Sequence, residues 1–578
     1  MVSSTTPAHD AQRGQQHTLR HATWHEPVAH WFGTQSPLPI WLSLKVLGPA
    51  AVTLLAAVLR LWNLGWPDTL VFDETYYVKD AWTLGARGNE ARWPESPNPA
   101  FEAGDVNSFL GGDGAFVVHP PLGKWMMWLG MLAGPEHAWA WRLSTAIAGI
   151  LTVLLVCVVT QRMFHSAALS TFAGGLLAID GLAITMSRTG LLDVFIGLFV
   201  LAAFWMLLID RSRHRRMLAE RLHERGSMGV VWWRPWLFAA AVFLGCATSV
   251  KWSGVYFAVA FGLYTVVDDL LARRRLARAA GSIPMTATSG HHAHRQTFWA
   301  RAWPLQSLAQ AGVGLVTVLP TVLLVYLASW TGWFVTSNGW GRHWAESNPA
   351  EGWLAVVPDA LRSFGQYHAV AYRFHTGLDS PHPWASSPLS WPIMLKPTLF
   401  WRTINDPGEN GCLHDSGCVS TISSVANPLL WWVAHLAVLT LIVFVIVRVL
   451  RRSTARRPWR VMSPASDITW QAVAVLFGFA GGYLPWLMYL HRTVFFFYAV
   501  AWQPFLILAV VAVVRMLVPP PQDNSGAAVA RRVWARPVVA GFVVLVVAVS
   551  AFFYPLWTGM DVSRTFWSLH AWLPHSWL

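Results

Sequence analysis

Charged side chains are scarce in this chain: 12% of its 578 residues are Asp, Glu, Lys or Arg, against 54% that are hydrophobic. The apolar residues fall in long runs, not in the spaced stripes of a surface helix. A soluble fold would have to bury about ten segments of roughly 20 apolar residues each. That excludes a soluble globular enzyme and leaves an all-α polytopic membrane protein. Cysteine is nearly absent, four in all, too few for a disulfide framework. Cys157 and Cys246 lie inside apolar runs and read as small hydrophobes. Residues 1–40, a polar tail rich in His and Gln, lack the apolar core and small-residue cleavage site of a signal peptide, so the first apolar run is expected to remain as an anchor. No internal repeat is evident, whereas transporters tend to show repeats and broken helices at mid-depth.

Spanning-length apolar runs occur near 41–61, 138–160, 167–185, 190–209, 236–251, 252–268, 305–329, 427–448, 469–489, 494–516 and 534–556. They predict about eleven transmembrane helices. The net charge of +13 does not call for nucleic acid, because the arginines gather in particular loops, as cytoplasmic loops do. The segment 210–235 carries Arg211, Arg213, Arg215, Arg216, Arg221, Arg225 and Arg234, and the segment 269–304 carries Arg273, Arg274, Arg275, Arg278, Arg295 and Arg301. Arg451, Arg452, Arg456, Arg457 and Arg460, and then Arg531, Arg532 and Arg536, fall on the same side when eleven spans are threaded. The expected organisation is therefore a cytoplasmic tail (1–40), a transmembrane module (41–329) with a long outward loop at 62–137, a second outward loop (330–426), C-terminal helices (427–556) and an outward tail (557–578).

The first loop holds Asp73 and Glu74 just past the first span, and near its end Pro121-Leu122-Gly123-Lys124 opens an apolar run too short to cross, expected to lie at the interface with Lys124 against lipid headgroups or in the site. On this topology Arg60, Arg142, Asp180, Arg188, Asp193, Lys251, His491 and Arg492 all fall at or near outward helix ends. Singly each is a snorkelling side chain or a helix-end ion pair. Together, from six or seven helices, they outline a polar cavity opening outward. A proton or ion path would need polar groups at several depths.

Several motifs converge. Phe72-Asp73-Glu74, His119-Pro120-Pro121-Leu122-Gly123-Lys124, Trp141-Arg142-Leu143-Ser144, Ser187-Arg188-Thr189-Gly190-Leu191-Leu192-Asp193 and Ser249-Val250-Lys251-Trp252-Ser253-Gly254 resemble the protein O-mannosyltransferases. So do His382-Pro383-Trp384-Ala385-Ser386-Ser387-Pro388, Trp391-Pro392, Tyr483-Leu484-Pro485-Trp486 and His491-Arg492, in the same order over residues 50–556. The resemblance implies a GT-C glycosyltransferase fold, a polyprenyl-phosphate-mannose donor, and Ser or Thr hydroxyls of exported polypeptides as acceptors. It makes Asp73 and Glu74 the catalytic acidic pair and Arg142 a functional arginine. A β-linked donor attacked once from the opposite face would give an α-mannoside. Residues 330–426 are too few for the β-trefoil of the eukaryotic members beside their own motif, so the chain looks like the shorter bacterial, actinobacterial form, in the plasma membrane with its site outside.

Transfer needs a base, positive charge for the departing phosphate and a dry cavity. Adjacent residues point apart on a helix or a strand, so Asp73 is assigned the acceptor proton and Glu74 the positioning of the acceptor or of Arg142. Arg492, with His491, is expected at the lipid phosphate, with Lys251 and Lys396 as alternates; Arg188 and Asp193 are further candidates for substrate binding, and His382 for a segment closing over it. The run Val494-Phe495-Phe496-Phe497-Tyr498 suits an isoprenoid wall. For Cys412 and Cys418 in their outward polar loop, a disulfide comes first, two free thiols second and a metal site with His414 and Asp415 third. No divalent metal is expected, since a carboxylate pair alone holds one poorly. Partners are the lipid donor, membrane lipid, secreted polypeptides and the export machinery. Two other readings stay in view: a transferase that glycosylates a lipid or cell-wall glycan, and a transporter.

Overall fold

The computed structural model describes residues 44–112, 114–281, 302–454, 468–573 and 577. The N-terminal tail, Arg295 and Arg301, and Arg456, Arg457 and Arg460 lie outside the described residues.

Each of the eleven apolar runs is helical. They form α1 (Leu44–Leu61), α4 (Ala138–Phe164), α5 (Ala167–Ala178) with α6 (Gly181–Ser187), α7 (Asp193–Arg225), α8 (Pro235–Val250), α9 (Gly254–Gly281), α10 (Trp303–Ser329), α12 (Pro428–Thr454), α13 (Thr469–Tyr483), α14 (Gln503–Leu517) and α15 (Gly526–Thr558). Between them the first long loop forms α2 (Glu74–Arg87) and α3 (Leu122–Met131), and the second forms α11 (Asp359–Gly377). Among the described residues seven helices are long and apolar enough to cross a membrane, or up to eight if the bent pair α5–α6 counts as one span; α8 and α14 are apolar but shorter. The chain is a multi-pass membrane protein.

The bend between α5 and α6, 63°, has a chemical cause. Asp180 ends one helix and caps the next, its carboxylate accepting from Ala183 N at 3.2 Å. The same carboxylate accepts from Asn427 N at 3.2 Å and from the Gln503 amide. One buried acid thus ties α6 to α14 and to the start of α12, which is how a charge inside a span keeps partners.

The arginine-rich segment after residue 210 is expected as a loop, but α7 continues unbroken to Arg225. Ion pairs explain the extension: Asp268 accepts from Arg211 and Arg215, both at 3.0 Å. Asp269 accepts from Arg273 at 2.9 Å and bonds His214 at 2.6 Å, and Asp210 pairs with Arg234. These pairs tie the end of α7 to α9 and to the start of α8.

The all-α expectation describes the membrane body. Outside it the second loop and the C-terminal tail build a three-stranded antiparallel sheet in the order β1 (Leu399–Asn405), β2 (Cys418–Ser423), β3 (Asp561–Ser563). All six residues of β2 are buried, so its sequence lacks the alternation by which a half-exposed strand is read. A disulfide joins Cys412 to Cys418 across the turn between β1 and β2.

Candidate active site

Several of the quoted motifs meet around the N-terminus of α2. Phe72 holds a left-handed backbone, φ 51°, a conformation costly for a bulky residue and kept only where its surroundings impose it. Those surroundings are aromatic: Phe72 packs on Phe400 at 5.1 Å, on Phe495 at 5.6 Å, on Phe497 at 5.7 Å and on His382 at 5.9 Å. The turn separates the two acids that follow.

Glu74 faces the protein. Its side chain is fully buried, and each carboxylate oxygen takes two donors. Oε1 accepts from Arg142 Nε at 2.8 Å and Gly190 N at 2.6 Å; Oε2 accepts from Arg142 Nη2 at 2.9 Å and Val71 N at 2.9 Å. Four donors fill the carboxylate's capacity. Arg142 is equally spent. Beyond Glu74 its guanidinium donates to the carbonyls of Pro67 at 2.7 Å, Thr69 at 2.9 Å and Leu64 at 3.3 Å, and the residue is 0% exposed. The pair is a strut that fixes the first loop against α4 and the 188–192 turn. Of the two expected tasks for Glu74, the geometry realises the positioning of Arg142, whose own donors go to Glu74 and to backbone carbonyls.

Asp73 faces the other way. It stands at the N-cap of α2 without capping the helix, and the hydroxyl of Tyr77, one turn on, bonds its carboxylate. Lys251 and Asp193 lie near enough to act on it. Burial pushes the Asp73 carboxyl up to about 6; Lys251 pulls it down and Asp193 pushes it up. A carboxylate poised there suits a general base near neutral pH.

Lys251 follows the end of α8, pairs with Asp193 Oδ2 at 2.6 Å, and lies 5.7 Å from the ring of Tyr77 and 5.2 Å from that of Tyr498. The next cation is Arg492. Its Nη2 donates to His375 Nδ1 at 3.2 Å, while its buried Nε has no partner. His375 must carry its proton on Nε2, which donates to Val118 O at 3.0 Å. Its ring stacks on His119 at 5.4 Å, and Trp252, beside Lys251, lies 5.4 Å away. Burial first, then the neighbouring cations, holds His119 well below the ordinary range, so the imidazole is neutral.

The remaining candidates separate. Arg188 is expected at substrate, but its guanidinium donates to the carbonyls of Arg60 at 3.0 Å, Trp62 at 2.6 Å and Asn63 at 3.0 Å; it closes the C-terminal end of α1, where orphan carbonyls want a cation. Lys124 does not reach headgroups: it is 1% exposed and paired with Glu90, because α3 turns that face inward and leaves Leu129 and Leu132 outside. His382 accepts from Trp384 N at 3.1 Å and stands edge-on to Phe495 at 4.9 Å. His491 is exposed beside Arg492. Tyr77, His119, His375 and Tyr498 complete the cluster, and of these the sequence assigned a role to Tyr498 alone, in the isoprenoid wall. Three of them sit within or beside quoted motifs, whereas His375 comes from α11, which carries none.

Known proteins align with this arrangement along most of the chain. Residues 50–304 match the family model described as dolichyl-phosphate-mannose-protein mannosyltransferase, and residues 360–577 match the C-terminal four-transmembrane region of protein-O-mannosyltransferase. The polyprenol-phosphate-mannose--protein mannosyltransferase of Mycolicibacterium smegmatis is 33% identical over 546 residues, covering 91% of this chain and 92% of that protein. Its namesake in Mycobacterium tuberculosis is 33% identical over 565 residues, 95% and 94% of the two chains. The solved Saccharomyces cerevisiae protein O-mannosyltransferase Pmt1-Pmt2 complex, bound to the sugar donor, superposes with a TM-score of 0.61 at 16% identity over 93% of both chains. That likeness carries the fold, GT-C.

Proposed function

The chain belongs to the protein O-mannosyltransferase family, and on that premise we propose that it moves mannose from a polyprenyl-phosphate-linked donor to Ser or Thr hydroxyls of exported polypeptides. The reaction runs at the outer face of a bacterial plasma membrane. The observation that carries this reading is the division of labour between adjacent acids: Glu74 is saturated by four donors, while Asp73 is raised to about 6 beside Lys251 and near the aromatic wall.

In this mechanism the Asp73 carboxylate removes the acceptor hydroxyl proton as the oxygen attacks the anomeric carbon. The bond from that carbon to the phosphate oxygen breaks, and its electron pair leaves with the lipid phosphate. The unpartnered Nε of Arg492 and the ammonium of Lys251 are the cations for that charge. Two-step retention would need a second carboxylate free to become a nucleophile. Glu74 is filled and Asp193 is bound to Lys251, which supports a single displacement with inversion. Phe495, Phe497 and Tyr498 supply the apolar wall for the lipid. The clustering of arginines at the other ends of the helices, and the Cys412–Cys418 disulfide, support an outward site.

Purified protein given labelled polyprenyl-phosphate mannose should label a peptide with a single Ser or Thr, and an α-mannosidase should release the label. Label in lipid or glycan acceptors with none in the peptide would reject the protein acceptor; release by a β-mannosidase would reject inversion.

A further inference from the structure

The strand that begins at the aromatic wall has a bare side. Among the described residues β1 is an outer strand of its sheet, paired through β2 alone. In an antiparallel ladder alternate residues turn N–H and C=O toward the partner, and those between turn them away. Side-chain burial alternates along β1, with Leu399, Trp401, Thr403 and Asn405 half-buried and Arg402 and Ile404, the latter 51% exposed, turned to solvent, so one face of the strand is open beside that edge. Proteins usually blunt such an edge with proline, charge or brevity. β1 has seven residues, LFWRTIN, with no proline and one charge.

The beginning of this edge coincides with the catalytic turn. Phe400 stacks on Phe72, the residue before Asp73, with ring centroids 5.1 Å apart and planes 29° apart, and it meets Phe497 edge-on at 5.3 Å. The register slips between Leu399 and Trp401, a bulge of the kind that re-aims a strand beside a site. From there β1 leads away from Asp73 for about 17 Å, at roughly 3.3 Å per residue.

Resting on the mannosyl-transfer reading, we infer that the acceptor polypeptide binds in extended form as an added strand along the free edge of β1, with its hydroxyl-bearing residue at the Phe72–Phe400 end, beside Asp73. Main-chain hydrogen bonds hold about five residues on one side of the acceptor, and side chains enter only at alternate positions. Such a site takes unfolded segments of varied sequence. It rejects proline wherever the peptide N–H points at β1.

The test uses the full-length enzyme and a peptide of about twelve residues with one Thr, in which each backbone amide is N-methylated in turn. On one side of the Thr, methylation of alternate residues should raise KM about 10-fold, the equivalent of one lost hydrogen bond with its clash, while residues between them stay within about 2-fold. A second measurement leaves the peptide backbone intact. Ile404→Cys, outside the catalytic cluster, should form a disulfide with a peptide cysteine about four residues from the Thr on that same side and not on the other. Sensitivity with no two-residue period, or cross-linking from both sides alike, overturns the added strand while leaving the transferase intact, because the unmodified peptide is still mannosylated. Failure to mannosylate even the unmodified peptide removes the mannosyl-transfer reading and this inference with it.

Discussion

Exchanging each of the two adjacent acids for its amide should damage the protein in opposite ways. Glu74→Gln leaves Arg142, 0% exposed, with half its ion pair gone and sets an amide NH₂ against donors at 2.6–2.9 Å. Removing one partner of a buried pair costs about 3–5 kcal/mol, a large share of the roughly 5–15 kcal/mol that holds a typical fold. Asp73→Asn works the other way. The Asp73 carboxyl is raised from 3.8 to about 6. It therefore contributes stability below pH 4, in its neutral form, and that contribution is lost as pH rises through about 6. At pH 7.5 the neutral asparagine should be no less stable than the wild type, and by at most about 3 kcal/mol more stable at 1.36 kcal/mol per pKa unit. Thermal denaturation of the three purified proteins in one detergent, followed by tryptophan signal, reads both effects. A Glu74→Gln protein as stable as wild type beside a destabilised Asp73→Asn protein would refute this separation of roles.

Lys251→Met strands Asp193 in a buried site and should cost about 3–5 kcal/mol; adding Asp193→Asn should recover most of that stability in the same melt but not the activity. Since Lys251 holds the Asp73 carboxyl down more strongly than Asp193 pushes it up, losing both charges should leave any residual activity of the double variant with an acid limb above the wild-type one near 6. Arg492→Gln should raise KM for the lipid donor about 10- to 100-fold, with Arg492→Lys in between, if charge-assisted bonds to phosphate are lost; an unchanged donor KM would remove Arg492 from the phosphate. Replacing Cys412 and Cys418 by serine opens a loop with a sequence separation of 6, worth about 2 kcal/mol by loop entropy; loss of donor binding in that variant would show that the sheet supports the lipid site.

The membrane body was legible because apolar length is a one-dimensional signal: each of the eleven runs became helix. So was the sequence origin of residues that the fold brings near one another, since Asp73, Lys251, Asp193 and Arg492 sit in the quoted motifs. What sequence could not convey was direction. Asp73 and Glu74 are neighbours, and the left-handed turn at Phe72 sends one toward Tyr77 and Lys251 and the other to Arg142. Arg142 and Arg188 carry the charge of phosphate ligands, yet their donors meet carbonyls at the end of α1 and in the turn after it, contacts set by tertiary packing alone. Lys124 begins an amphipathic helix and looked fit for headgroups until Glu90, 34 residues earlier, claimed it. β2 was invisible for a different reason: CVSTIS is buried on both faces and has neither alternation nor an apolar run.

The central claim is that Asp73 takes the acceptor proton and does little else. Single-turnover transfer from labelled donor to a Thr peptide, with donor binding measured on the same samples, tests it in wild type and Asp73→Asn. Donor affinity within about 3-fold and a transfer rate lower by about 10²- to 10⁴-fold is the predicted result. Transfer within 10-fold of wild type, or a donor that no longer binds, would contradict it.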